Sequence, residues 1–380
     1  MRKIAAWLHR YLGLGLALLL FVSGGTGALI AFSDELDAGL NPALLQVQPQ
    51  AHAANLDEIV ARTRQALPQA QLAFIAFPEA PDQALEIWLR DSPLRAYADP
   101  YSGAILGVRD SHASLMGFLV DLHIHLLSGE TGEAVMGWAG LASLPLLLLG
   151  VWLWWPRRSR WKQALAVKWD AAPVRVWLDL HKVAGVLACA FLLMIAATGS
   201  ALALYDVVTE PLLVRLTGAG ARQAAPLSSP GQQPAPLEPM LRQAAALFPQ
   251  GRVTRISLPT RPEGAVMVRV RQPAEAHQYG RTFVWFDQYS GRVLRTDDIF
   301  RANLATRIQS WLYPLHTGFY GGLGTRLLQV MLGLALALLA GSGVWLWLAN
   351  RRARRIAAAR REVYGAEVGT PRPVRAERNG

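Results

Sequence analysis

The 380-residue sequence holds a single cysteine, Cys189, and only 17% of its residues are charged. One cysteine excludes a disulfide framework, a thiolate zinc site and an iron–sulfur cluster. So little charge, beside 52% hydrophobic residues, excludes a disordered chain. No G-x-G-x-x-G follows a strand-like run, no ATP-binding motif occurs, and no acidic residue stands in the middle of an apolar run to couple ion movement. What is present is mostly apolar. The mean hydropathy of +0.21 points to several membrane spans rather than to a soluble enzyme.

Four runs reach the roughly 20 residues that a bilayer crossing needs: Trp7 to Phe32, Val135 to Trp155, Val183 to Tyr205 and Leu327 to Leu348. The first follows Met1-Arg2-Lys3 but is longer than a secretory h-region and lacks a clear small-residue cleavage site, so it reads as a retained anchor. The net charge of +11 is unevenly spread. Residues 1–10, 156–182 and 349–380 together carry 19 basic and five acidic residues; the rest carries 19 basic and 22 acidic. By the positive-inside rule these three segments are cytoplasmic, and so are both termini. The basic run Arg351-Arg352-Ala353-Arg354-Arg355 directly follows a span. It reads as a topology signal and lipid-headgroup contact, not a nucleic-acid site. The chain then divides into a first span (1–32), an outer domain (33–132), a second span (133–155), a basic cytoplasmic loop (156–182), a third span (183–205), a second outer domain (206–322), a fourth span (323–348) and a basic cytoplasmic tail (349–380).

The two halves are tandem copies. An offset of 172 residues carries Leu8-His9-Arg10 to Leu180-His181-Lys182, Gly13 to Gly185, and Thr26-Gly27 to Thr198-Gly199. An offset of 193 carries Leu122-His123 to Leu315-His316, Gly140 to Gly333, and Gly150-Val151-Trp152-Leu153-Trp154 to Gly343-Val344-Trp345-Leu346-Trp347. In the outer segments Asp99-Pro100-Tyr101-Ser102-Gly103 resembles Asp287-Gln288-Tyr289-Ser290-Gly291. Each of these turns follows β-type runs (Ala84 to Trp88 and Arg95 to Ala98; Val266 to Val270 and Thr282 to Phe286) and a helical stretch that stops at a proline, Leu56 to Leu67 or Leu237 to Phe248. Each half is therefore span, small α+β outer domain, span. The fold class is an α-helical membrane protein of four transmembrane helices in two tandem repeats, with small α+β outer domains. Thr217 to Pro236 reads as a flexible lead-in, and the tail after Arg361 as disordered.

Of the eight histidines, His52, His112 and His277 fall in polar outer segments and read as solvated. His9, His123, His181 and His316 occupy repeated positions near membrane edges. Ionisable groups at that depth are costly and point to function, and imidazole is a common axial ligand of haem iron. His9 and His181 begin spans that start in the cytoplasm; His123 and His316 precede spans that run inward. Symmetry then pairs His9 with His181 at the inner edge and His123 with His316 at the outer edge, the latter two on a short helix or bend. Glycines 129 and 132, and 321, 322 and 324, give the chain room to turn there. His125 is the alternative to His123; its counterpart by the 193 offset is Gly318, so it breaks the repeat. Arg10 and Lys182, beside the inner pair, either neutralise haem propionates or serve as positive-inside anchors. Thr26, Gly27, Thr198 and Gly199 read as small residues for close helix packing before cofactor contacts, and Trp88, Trp285 and Tyr289 as domain core before a stack on a ligand.

The ordered motifs Leu-His-Arg-Tyr-Leu-Gly-Leu at 8–14, Thr-Gly at 26–27, Glu-Leu-Asp with Asn-Pro at 35–42, Asp-Pro-Tyr-Ser-Gly at 99–103, Asp-Leu-His with Leu-Leu-Ser-Gly at 121–129, Asp-Leu-His-Lys at 179–182 and the closing Gly-Val-Trp-Leu-Trp resemble the PepSY-associated transmembrane-helix family. The resemblance covers all but about the last thirty residues. It implies PepSY-like periplasmic domains, an iron-regulated protein of the bacterial inner membrane, and likeness to dihaem ferric-siderophore reductases. Two b-type haems would be the cofactors and a periplasmic ferric siderophore or other ferric chelate the substrate. Some members carry a fused flavin reductase domain; here the cytoplasmic segments are short, so the donor is a quinol or a separate cytoplasmic reductase. The rival readings are a membrane-anchored PepSY binding or regulatory protein without redox activity and, more weakly, a haem or metal importer. The charge count makes the first prediction. A reporter fused after Gly380 is expected in the cytoplasm and one inserted near Ser229 on the outer side; both on one side contradicts four spans.

Overall fold

The computed structural model describes residues 1–156, 160–220 and 223–367, those after 360 by their backbone alone. In the first half the helices α1 (Arg2–Ile30), α2 (Ser33–Leu40), α3 (Pro42–Leu45) and α4 (Leu56–Ala66) lead into strands β1 (Leu72–Ala76), β2 (Leu85–Leu89), β3 (Leu94–Ala98) and β4 (Ile105–Asp110), then α5 (Leu115–His125) and α6 (Gly129–Trp154). After α7 (Trp161–Ala164) come α8 (Pro173–Ala203), α9 (Glu210–Thr217) and α10 (Leu237–Leu247). Strands β5 (Arg252–Ser257), β6 (Ala265–Arg271), β7 (Thr282–Asp287) and β8 (Val293–Asp297) follow, then α11 (Leu304–Thr317) and α12 (Gly322–Glu367).

Four helices, α1, α6, α8 and α12, are long and apolar enough to cross a membrane. Each extends past at least one end of the apolar run that announces it, and α1, α8 and α12 do so through good helix-forming basic residues. Thus α8 begins at Pro173, where a proline costs the first turn nothing, and α12 passes through the arginines of 351–355 to Glu367. The disordered reading of the tail therefore does not hold for 361–367; residues 368–380 lie outside the described ones. The bundle closes as a ring: α1 packs on α12, α12 on α8, α8 on α6 and α6 on α1. In lipid this packing needs small residues that let backbones approach. A Cβ on Gly24 would stand 2.6 Å from Gly333 O, and one on Gly333 would stand 2.6 Å from Gly24 O.

The outer segments do not form two separate domains. Their strands join in one eight-stranded antiparallel sheet, ordered β4-β3-β2-β1-β5-β6-β7-β8. The junction is β1 against β5, with Ile75 opposite Ile256. Edge pairing is the reason for the merger, since a lone four-stranded unit would leave β1 with unpaired backbone groups. α4 and α10 cover one face, and Ile59, Ile75, Ile87, Met240, Ile256, Val268, Val284 and Phe286 form the shared core. The other face carries Phe74, Trp88 and Arg95. Trp88 is half-buried, stacked 4.7 Å from Phe74 with Arg95 over its ring; Trp285 and Tyr289 are likewise half-buried rather than core. The 217–236 segment is not a free lead-in along its second part: Ser228 and Ala235 donate backbone N–H groups to Glu263 and Gln288, and Ser229 to the Asp287 carboxylate.

The two helices over the sheet cap each other. Leu237 N–H and Glu238 N–H donate to the Asp57 carboxylate at 2.7 and 3.1 Å, and Leu56 N–H donates to Glu238 at 3.1 Å. Each acidic side chain thus satisfies first-turn donors of the other helix. Pro236, the residue before α10, offers no cap of its own. Asp57→Ala is expected to cost about 1–2 kcal/mol and to lower the thermal midpoint of the purified chain, and Glu238→Ala less; equal midpoints for Asp57→Ala and the parent would refute the exchange.

Candidate functional site

α5 and α11 are short helices that fold back against the ends of α1 and α8. α5 ends where Leu126 takes left-handed geometry, and α11 ends in left-handed Gly318. The turns therefore fall at residues 126–129 and 318–322, and Gly132 is small because His125 O lies against it. This arrangement brings His123 across from His316, with ring centres 6.3 Å apart. At the opposite end of the bundle, His9 on α1 and His181 on α8 face each other at 6.4 Å. Eighteen residues separate His9 from Gly27, the seat of His123, and eighteen separate His181 from Gly199, the seat of His316. That is about 27 Å along each helix, so one pair stands near each edge of a hydrocarbon core of about 30 Å.

Each ring is held the same way. A Cβ on Gly150 or Gly27 would stand 3.0 Å from Cε1 of His9 or His123; on Gly199 it would be 2.7 Å from Cε1 of His316, and on Gly343 3.7 Å from that of His181. On the same sides the four Nδ1 atoms meet oxygen: Leu146 O for His9 (3.0 Å), Thr26 Oγ1 for His123 (2.9 Å), Ser342 Oγ for His181 (2.8 Å) and Ile195 O for His316 (3.1 Å). A carbonyl only accepts. The hydroxyls of Thr26 and Ser342 already donate their single proton to Val22 O and Leu339 O, so they too accept from the imidazole. All four rings are thereby set as Nδ1–H tautomers, leaving Nε2 with its lone pair for a metal. His9 with His181 and His123 with His316 are the residues that would hold a metal between them, each pair having its rings within about 6.4 Å of one another. Among the described residues no cluster of three or more His, Cys, Asp or Glu is placed to hold a bare metal ion.

The outer pair lines a cavity of about 430 Å³ that runs into the bundle past Gly140, Leu192 and Leu332. Two polar atoms of residues on its wall, Ser200 Oγ and Gln278 Oε1, are buried without a hydrogen-bond partner. Such atoms are costly unless something meets them, and the volume falls in the range of ligand pockets.

The sequence profile of the PepSY-associated TM region matches residues 6–350. The chain belongs to this family. No curated protein matches it. It is a PepSY-associated membrane protein with four apolar helices and a separate antiparallel sheet region.

Within this family member the sequence-derived residues fall into distinct settings. His125 turns to Asp121, with Nδ1 2.8 Å from Oδ1, and does not join the facing pair. Lys182 is tied to Asp179, 1% exposed, which also holds Arg175. Arg10 is exposed and has no ion-pair partner among the described residues. Thr26, Gly27 and Gly199 support histidines instead of serving helix packing alone, and Gly150, Gly343 and Ser342 join them. The repeat offsets carried the signal for the glycines but not for Ser342, whose counterpart is Leu149. His277 is a correction: it is 8% exposed and stacked 5.0 Å from Tyr313. The glycine seats make a graded prediction. Gly199→Ala must displace His316 and is expected to cost about 1–3 kcal/mol, whereas Gly343→Ala leaves stability nearly unchanged. Thermal midpoints of the two variants check the order.

Proposed function

We propose that this protein is an inner-membrane dihaem electron conduit that reduces a ferric siderophore or other ferric chelate on the periplasmic side. Four imidazoles, paired across a two-copy bundle and each forced to present Nε2, carry this reading. In it, His9 with His181 and His123 with His316 hold two b-type haems, and haem so held supplies a one-electron couple at each face of the membrane. Among the described residues Arg10, beside the inner pair, has no ion-pair partner, whereas Asp179 occupies Lys182. The tandem organisation is supported by the sheet: the 181-residue offset that takes Pro68 to Pro249 also takes Ile75 to Ile256, and those two pair across the junction. The charge asymmetry supports cytoplasmic termini and a periplasmic sheet.

The chain's own residues fit that task. Bis-imidazole seats leave no coordination position for substrate, so the protein has no need of a nucleophile or a proton donor. Reducing a ferric chelate takes one electron, and the weaker hold of chelators on ferrous iron then releases it. The four hydroxyl and carbonyl acceptors keep the imidazoles in one tautomer, and the glycines keep them close to α1, α6, α8 and α12. The electrons come from a quinol or a cytoplasmic reductase.

The test begins with a visible spectrum of the purified chain. Two low-spin haems are expected; His9→Ala or His181→Ala removes one, His123→Ala or His316→Ala the other, and His125→Ala neither. In membranes, reduced haem should be reoxidised by ferric chelates. Two haems in all four alanine variants, or no chelate faster than buffer, would overturn the assignment. Thr26→Val, which removes the acceptor of His123, is expected to weaken retention of one haem about 10–100-fold.

A further inference from the structure

Beside the outer histidines lies a second pocket of about 290 Å³, between the β6–β7 connection and α11. Arg269, Arg281, His277, Tyr279, Gln309 and Tyr313 line it. Tyr279 and Tyr313 also line the cavity of His123 and His316, so the two spaces adjoin. Arg269 is 8% exposed and is oriented by its Nε–H, which donates to Gly280 O at 2.7 Å. Its strand partner is Arg255, whose guanidinium lies 4.0 Å over Phe74. Among the described residues neither Arg255 nor Arg269 has a carboxylate ion-pair partner, although nearby Arg252 and Arg271 share Glu79.

A buried guanidinium with no carboxylate in ion-pair contact is expensive; the Glu275 carboxylate acts on Arg269 only from a distance, its oxygens taken by the Gln272 and Arg281 N–H groups and the Thr282 hydroxyl. Burial, then Arg281 and Arg255, pull the Arg269 guanidinium down to about 9. Burial, then Arg269, Arg281, Arg271 and Arg255, push the His277 imidazole down to about 3, so it adds no charge of its own. The other half of the sheet shows that the cations are not demanded by the fold. The 181-residue offset carries Phe74 to Arg255 and Trp88 to Arg269. Where one half stacks two aromatic rings, the other sets two arginines opposite each other.

We propose that this pocket is a carboxylate-binding site, with Arg269 as its principal donor and the Tyr279 and Tyr313 hydroxyls at its inner wall. Guanidinium matches carboxylate in both charge and bidentate geometry. Two sources present that group here: a propionate of a haem held by His123 and His316, or a carboxylate of an arriving ferric chelate. Both sources rest on the function proposed above, whereas the pocket stands on its own geometry.

The experiment compares the full-length holoprotein with Arg269→Gln and Arg269→Lys. Ferric citrate and a ferric trihydroxamate without carboxylates are the probes. If the chelate is the source, Arg269→Gln raises KM for ferric citrate roughly tenfold or more, leaves kcat and the trihydroxamate unchanged, and Arg269→Lys recovers part of the loss. If the propionate is the source, KM stays and the midpoint potential of the outer haem shifts, again with partial recovery by lysine. If Arg269→Gln alters neither the KM for ferric citrate nor the potential, the site is overturned. Should Arg269→Gln fail to fold, Arg269→Lys is read in the same two ways. A wild-type protein that no chelate oxidises defeats the reductase reading but leaves the potential measurement intact. If the chain purifies without haem, citrate calorimetry decides: binding lost in the variant supports the pocket, and no binding to the parent overturns it.

Discussion

A neutral imidazole inside a lipid-embedded bundle must put its one N–H somewhere, and where it goes decides what the other nitrogen can do. Here the answer is the same four times. Each Nδ1–H is absorbed by an oxygen of a neighbouring long helix that cannot donate in return. For His123 and His181 the acceptor is a hydroxyl already donating along its own helix. The carbonyls of Leu146 and Ile195 do the same for His9 and His316. The ring can reach those oxygens only because a glycine stands beside it. Helix packing, hydroxyl placement and imidazole tautomer are therefore one arrangement, and a change in any of them moves the lone pair.

The four spans and the histidine pairs were legible because both leave one-dimensional traces. A span is a run of apolar residues, and the facing histidines recur in the sequence at fixed offsets. Depth followed from the same reasoning: 31 residues from His123 to Trp154 are too many for one crossing at about 1.5 Å each, and the chain does break after His125. The merger of the outer strands was not legible. Nothing in Leu72–Ala76 states that it will pair with Arg252–Ser257 rather than face solvent, since edge partners are set by geometry across the whole sheet. Asp57 and Glu238 looked like ordinary first-turn acids of their own helices; only the joined sheet brings each helix start to the other's carboxylate. His277 looked solvated because its neighbours in sequence are polar, but its burial comes from Tyr313, 36 positions away on α11.

The departures from symmetry carry as much information as the symmetry. In the membrane the halves match closely: α1 and α8 each supply one inner histidine and one glycine seat, and α6 and α12 supply the other seats. That part of the molecule builds two alike histidine pairs. The sheet answers to a different demand. Its shared core needs the same buried positions in both halves, as Ile75 opposite Ile256 illustrates. Its other face has no such obligation, and there Phe74 and Trp88 correspond to Arg255 and Arg269.

That asymmetry fixes where the molecule treats its two halves differently. A symmetric vestibule would offer an approaching ligand two equivalent walls. Here one wall is an aromatic stack with Arg95 already paired to Glu86, and the other sets Arg255 and Arg269, which have no carboxylate in ion-pair contact among the described residues, beside two tyrosines. The tyrosines adjoin α11 one turn before His316. Positive potential is thus concentrated on the side of His316, and the first half presents a neutralised surface. An anion near this end of the bundle would meet more positive charge on the second half, although His123 and His316 both line the cavity. Corresponding positions of the two halves supply the paired imidazoles, and two differing strand positions make the two walls unlike.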